Sequence, residues 1–145
     1  MAPRIYLSLL FILIFSLFTA CGQGDTVTRD YPDQVTSHQL GDPFEISKGE
    51  IAVIENGKIS IKVDEFMEDS RCPLNAECIW AGQAKVRFNV NGELVVLTLG
   101  ELIENDKNTF DLGNGLVLKL LDITPYPGSE EKNAQPSVRL VVVHS

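Results

Sequence analysis

Two cysteines with five residues between them, Cys72 and Cys78, sit inside a chain that otherwise alternates apolar and polar residues. No other feature of the sequence constrains the fold as much. The surrounding span, Asp69-Ser70-Arg71-Cys72-Pro73-Leu74-Asn75-Ala76-Glu77-Cys78-Ile79-Trp80-Ala81-Gly82, also holds the only tryptophan. It reads as a loop closed by a disulfide and held between two strands. The spacing is not the Cys-x-x-Cys of redox enzymes, and a tetrahedral zinc would need further ligands. In an exported chain the oxidising surroundings favour a structural bridge. Closing so small a loop contributes about 2 kcal/mol through the entropy of the unfolded chain.

Both flanks carry the period of two expected of half-buried strands. Phe44, Ile46, Ile51, Val53 and Ile54 give an opening strand or pair, bent at Lys48-Gly49. Asn56-Gly57 then marks a hairpin, because both residues tolerate positive φ. Ile59, Ile61 and Val63 continue the alternation until Phe66-Met67 interrupts it, as a bulge or turn would. After the cysteine span come Val86, Phe88 and Val90, an Asn91-Gly92 turn, and the run Leu94 to Leu99. That run is apolar on both faces and reads as a central strand. Glu101 to Asn108 is a polar connection with room for one helical turn. Phe110 and Leu112, the turn Gly113-Asn114-Gly115, Leu116 to Ile123 and Val138 to Val143 complete the set, with Pro125-Tyr126-Pro127-Gly128 as a stop. The expected fold is all-β: an antiparallel β-sandwich or small barrel of about 6–8 strands over residues 43–145.

The N-terminus reads as an export signal. Arg4 precedes a nearly unbroken apolar run, Ile5 to Phe18, too short for a comfortable membrane span and followed by polar residues. Phe18-Thr19-Ala20-Cys21 resembles the lipobox of bacterial lipoproteins, whose cysteine takes a diacylglycerol and becomes the mature N-terminus. The third cysteine supports this, since lipidation of Cys21 leaves an even pair. The expected organisation is a signal peptide at 1–20, a lipidated cysteine and flexible tether at 21–42, and the β-domain beyond. As a coil, such a tether spans on the order of 25 Å. Its His38 reads as a solvated side chain rather than a metal ligand. Gly22 follows the cysteine where some Gram-negative lipoproteins carry a retention aspartate, so in a Gram-negative cell the resemblance implies the outer membrane.

The formal charge is −8, and loss of Arg4 with the signal leaves 11 − 20 = −9. Such a surface repels nucleic-acid backbones, and it leaves the acyl chain as the route to anionic lipid. Asp64, Glu65, Glu68 and Asp69 form a carboxylate cluster ahead of the loop. Calcium binding and a carboxylate pair for glycoside hydrolysis are conceivable there. A solvated acidic rim, or Asp69 paired with Arg71, is the plainer alternative. No nucleophile elbow, zinc-protease helix motif or phosphate loop is present. His144 is penultimate, a poor place for a held base. No catalytic residue, metal or cofactor is expected.

The pattern Asp69-Ser70-Arg71-Cys72-Pro73, then Cys78-Ile79-Trp80-Ala81-Gly82 and Ala84, resembles a motif of an uncharacterised family of small exported bacterial proteins, many of them lipoproteins. The likeness extends over the mature domain. It implies a secreted or lipid-anchored β-domain with Cys72 and Cys78 paired, and no particular activity. The functional expectation is a lipid-anchored binding or structural module of the cell envelope, with a protein, peptide or glycan partner. Its candidate contact residues are Arg71, Leu74, Asn75, Glu77 and Trp80. Whether the loop is an exposed recognition element or a lid, with Leu74 and Trp80 packed down, stays open at this level.

Overall fold

The computed structural model describes residues 34–131 and 133–145. The signal segment, Cys21 and the tether as far as residue 33 lie outside them. Two sheets face each other. One has five strands in the order β1 (Gln34–His38), β3 (Glu50–Ile54), β4 (Ile59–Asp69), β5 (Gln83–Val90) and β6 (Glu93–Gly100). The other has four, β2 (Phe44–Ser47), β9 (Ser137–His144), β8 (Leu116–Thr124) and β7 (Thr109–Gly113). Among the named strands all pairings are antiparallel except β1 with β3. The chain is an all-β sandwich, and its described residues contain no helix.

The alternation seen in the sequence fills the space between the sheets. Ile59, Ile61 and Val63 of β4 and Ala84, Val86, Phe88 and Val90 of β5 point inward from one side. Leu116, Leu118 and Leu120 of β8 and Val138, Leu140 and Val142 of β9 meet them from the other. A residue inserted into one strand shifts every later side chain to the opposite face. In β8 the pairing slips between Leu120 and Asp122, so Ile123 rather than Asp122 enters the core. β4 slips twice, between Val63 and Glu65 and between Phe66 and Glu68. The break at Phe66-Met67 is thus a bulge, and the strand runs on to Asp69.

Two expectations are corrected. Residues 34–38 are a strand, not tether: β1 pairs in register from Gln34↔Glu50 to His38↔Ile54. His38 is no freely solvated side chain either. Its ring stacks on Phe44 with centroids 4.5 Å apart and sits 2.9 Å from Thr36 Oγ1. The second correction concerns β6, which is an edge strand rather than a central one. Leu94 and Val96 project from its outer face into solvent. Only its far end is covered, where Thr98 N donates to Lys107 O of the 101–108 connection (2.8 Å).

Candidate functional site

β4 and β5 continue beyond the sheet as a two-stranded ribbon that carries the cysteine loop. Ser70 N donates to Gln83 O (2.8 Å) and Cys72 N to Ala81 O (2.9 Å). The Cys72–Cys78 disulfide, with Cα atoms 5.9 Å apart, closes the ribbon. A turn follows Cys72, with Ala76 N donating to Pro73 O (3.0 Å), and Leu74 N reaches Pro127 O across the Pro125–Gly128 stop (3.0 Å).

Glycine makes the base of the loop possible. Gly82 has φ +74°, and a Cβ there would lie 2.0 Å from Ser70 O. The ribbon closes only because that atom is missing. Gly100 is just as confined, with its Cβ position 2.5 Å from Gly82 O, and Glu101 N donates to that same oxygen (3.1 Å). Three chain segments therefore converge on one backbone junction.

Arg71 occupies the other side of this junction, and it is only 5% exposed. Its Nε donates to Asp69 Oδ1 (2.8 Å) and its Nη2 to Asp69 Oδ2 (2.7 Å), a bidentate fork. Nη1 donates to Ile123 O (2.7 Å) and Nη2 also reaches Pro125 O (3.3 Å). The guanidinium carbon lies 4.5 Å from the centre of the Tyr126 ring. Arg71 is therefore a clamp between the loop base and the end of β8, and it is not a surface contact residue. A short, half-exposed aspartate two residues away supplies the counter-charge that makes such burial tolerable.

Beyond the clamp the loop lies in solvent. Leu74 is 68% exposed, Trp80 57% and Ile79 completely, and Asn75 and Glu77 are also exposed. Leu74 and Trp80 are thus not covered as side chains of a lid packed over the sandwich would be. Ile79 was absent from the expected contact set. Its only signal was its place between a cysteine and the tryptophan.

Three of the four carboxylates in the acidic cluster, Asp64, Glu65 and Asp69, are paired with arginines. Arg87 Nε donates to Asp64 Oδ2 (2.5 Å) and Arg87 Nη2 lies 2.8 Å from Glu65 Oε2. The hydrogen bond to Asp64 leads the effects that raise the Arg87 pKa above its ordinary value. Asp69 is taken by Arg71, and Glu68 accepts from Ser70 Oγ (3.2 Å). Among the described residues no group of three or more His, Cys, Asp or Glu is arranged to hold a metal ion. Behind the loop, Lys85 Nζ pairs with Asp106 Oδ1 (3.0 Å), and this hydrogen bond is the main cause holding the Asp106 carboxyl below its ordinary range. The buried Gln83 amide fits the same network when its nitrogen faces Glu101 O and Asp106 Oδ2 (both 3.0 Å) and its oxygen faces Lys85 Nζ (3.2 Å).

No family model, curated protein or solved structure matches this chain.

Proposed function

We propose that this protein is a lipid-anchored binding module of the cell envelope, and that its contact surface is the tip of the cysteine loop. The observation that carries this reading is the contrast between the rigid base of the loop and its apolar tip. Leu74, Ile79 and Trp80 stand in water on a ribbon fixed by a disulfide, a glycine junction and a buried arginine. Exposed apolar side chains on a pre-ordered loop suit docking, since little conformational freedom is lost when they are covered. Tryptophan and leucine at such a position are the anchors expected to carry most of the contact energy. Asn75 and Glu77 supply the polar rim.

The partner class is a protein, peptide or glycan of the envelope. Export and acylation at Cys21 rest on the N-terminal sequence, and in a Gram-negative cell they place the domain at the outer membrane. The role is binding rather than catalysis. Arg71 serves it indirectly, by holding the loop base.

Crosslinking in intact cells, with a Leu74→Ser/Trp80→Ser chain beside the native one, tests the reading. Both substitutions fall on exposed side chains, so the two chains should melt at the same temperature. A partner captured by the native chain and lost by the variant is the expected result. An identical catch from both would remove the loop as the contact surface. Labelled palmitate should enter the native chain and not Cys21→Ser.

A further inference from the structure

The chain enters the sandwich at the same end as the cysteine loop. β1 runs parallel to β3, and β3 runs from Glu50 toward the Asn56-Gly57 turn, so Gln34 opens β1 on the loop side. β4 passes its last pair with β3, Ile51↔Lys62, by seven residues (69 − 62), roughly 20 Å of strand, and the loop lies beyond that. The thirteen residue steps from Cys21 to Gln34 (34 − 21) reach about twice as far when extended. A bilayer that holds Cys21 is therefore within reach of the loop tip. The exposed apolar side chains gather at this end too. Leu74, Ile79 and Trp80 stand on the tip, and the 101–108 connection adds Leu102 and Ile103, hung from the loop base where Glu101 N donates to Gly82 O (3.1 Å). The turn tips at the opposite end, Asn56-Gly57-Lys58, Asn91-Gly92-Glu93 and Gly113-Asn114-Gly115, show water no apolar side chain.

We propose that the tip of the cysteine loop inserts among the headgroups of the bilayer that carries the anchor. The inference rests on the lipid-anchored reading above, and adds what the tip touches while no partner holds it. Tryptophan suits that depth, since its ring is apolar and its N–H stays within reach of headgroup oxygens. Leu74 and Ile79 supply the side chains that go deeper, and the disulfide-closed ribbon presents all three without further ordering. The headgroup chemistry is zwitterionic. Glu77 on the tip and Glu101 and Glu104 on the connection outnumber the exposed Lys107, on a chain of net charge −8, so an anionic surface is repelled. An acyl chain on a leash limits only the distance of the domain from the membrane. A second contact at the tip fixes which end faces it, and a partner of the tip then has to compete with lipid.

Trp80 is the only tryptophan, so its emission reports the tip alone. The full chain, taken from the cell as the cell makes it, would be reconstituted in phosphatidylcholine vesicles and floated with them. Two quenchers then bracket the tip: phospholipid brominated near the top of its acyl chains, and acrylamide in the water. The expected result is quenching by the brominated lipid and shielding from acrylamide. Leu74→Ser with Ile79→Ser changes two exposed side chains and keeps the reporter; it should lower insertion about tenfold and restore access to acrylamide. Phosphatidylglycerol in place of phosphatidylcholine should weaken the lipid quenching. A floating chain whose Trp80 is open to acrylamide and untouched by brominated lipid would overturn the inference and leave the anchor standing. So would quenching unchanged by the two serines, or equally strong in phosphatidylglycerol. A chain that does not float removes the anchor, and the inference with it. Lipid quenching in a chain whose crosslinked catch does not depend on Leu74 and Trp80 would uphold the inference and remove only the docking of a partner.

Discussion

At the turn end of the sandwich Gly57, Gly92 and Gly113 have positive φ, and a Cβ added to any of them would meet nothing within 4 Å. At the cysteine-loop end Gly82, Gly100 and Gly128 also have positive φ, but there the added atom would strike neighbouring atoms: Ser70 O, Gly82 O and Asn75 Oδ1, all closer than 3.0 Å. The first group answers only to the dihedral preference of a tight turn. The second answers to the distance between chain segments as well. A turn can therefore accept another residue at a conformational cost alone, and the neighbouring asparagines Asn56, Asn91 and Asn114 already hold positive φ. At Gly82 and Gly100 the loop base cannot, because the atoms struck are backbone oxygens and something in the backbone has to move. One end of the molecule tolerates variation, while the other is a fitted joint.

The sharpest way to break this contrast is Gly82→Ala. It should cost about 3 kcal/mol or more and disorder the loop, whereas Gly92→Ala should cost about 1–2 kcal/mol, the usual penalty for a left-handed non-glycine residue. Urea unfolding of the two chains side by side measures the difference, and equal values would erase the distinction between the ends.

Arg71→Met comes next. It takes the guanidinium away from the buried Ile123 carbonyl and from the half-exposed Asp69 carboxylate, at about 2–3 kcal/mol. The same unfolding experiment reads it, and Arg71→Lys should recover only part of the loss, since an ammonium cannot form the planar fork.

Replacing Cys72 and Cys78 together by serine should cost about 2 kcal/mol. With the glycine junction and Arg71 intact, Trp80 fluorescence should still report a native-like environment in the absence of denaturant.

Acid provides the smallest and most local perturbation. Lys85 holds the Asp106 carboxyl below its ordinary range. A carboxyl depressed by folding stabilises the fold at any pH above the ordinary carboxylate range. That contribution disappears as the pH falls through the depressed value. Amide exchange should therefore quicken in the 101–108 connection below about pH 4 while the turn end stays protected, and Lys85→Met should abolish the pH dependence there.

The strands were legible because their information is local. Alternation in β4, β5 and β8, and the Asn-Gly pairs between strands, specify pleat and turn without reference to anything distant. What escaped was either short or long-range. β1 has one apolar residue in Gln-Val-Thr-Ser-His, so no periodicity announces it; its place comes from backbone pairing with β3. β6 looked central because Leu94 and Val96 are apolar, yet which strand lies beside it depends on the whole topology. Arg71 looked like a surface cation. Its burial depends on carbonyls at Ile123 and Pro125, more than fifty residues on (123 − 71 = 52), that no local pattern could place. The loop itself was found from its cysteines, but the state of its tip was not, because exposure is a property of everything that fails to cover it.

β1 also bears on how the domain would take load. It runs parallel to β3, from the cysteine-loop side toward the turns, so the chain enters the sheet from the loop side. If Cys21 is the anchor, the leash is thirteen residue steps (34 − 21) with a contour of about 45 Å at most, not the longer reach of a tether ending at residue 42. A pull along the strand axis arrives at Gln34 and is shared by the whole register, Gln34↔Glu50 through His38↔Ile54, in shear. A partner held at the loop tip pulls at that same end, so tension between it and the anchor would open the register from Gln34 inward, one pair at a time.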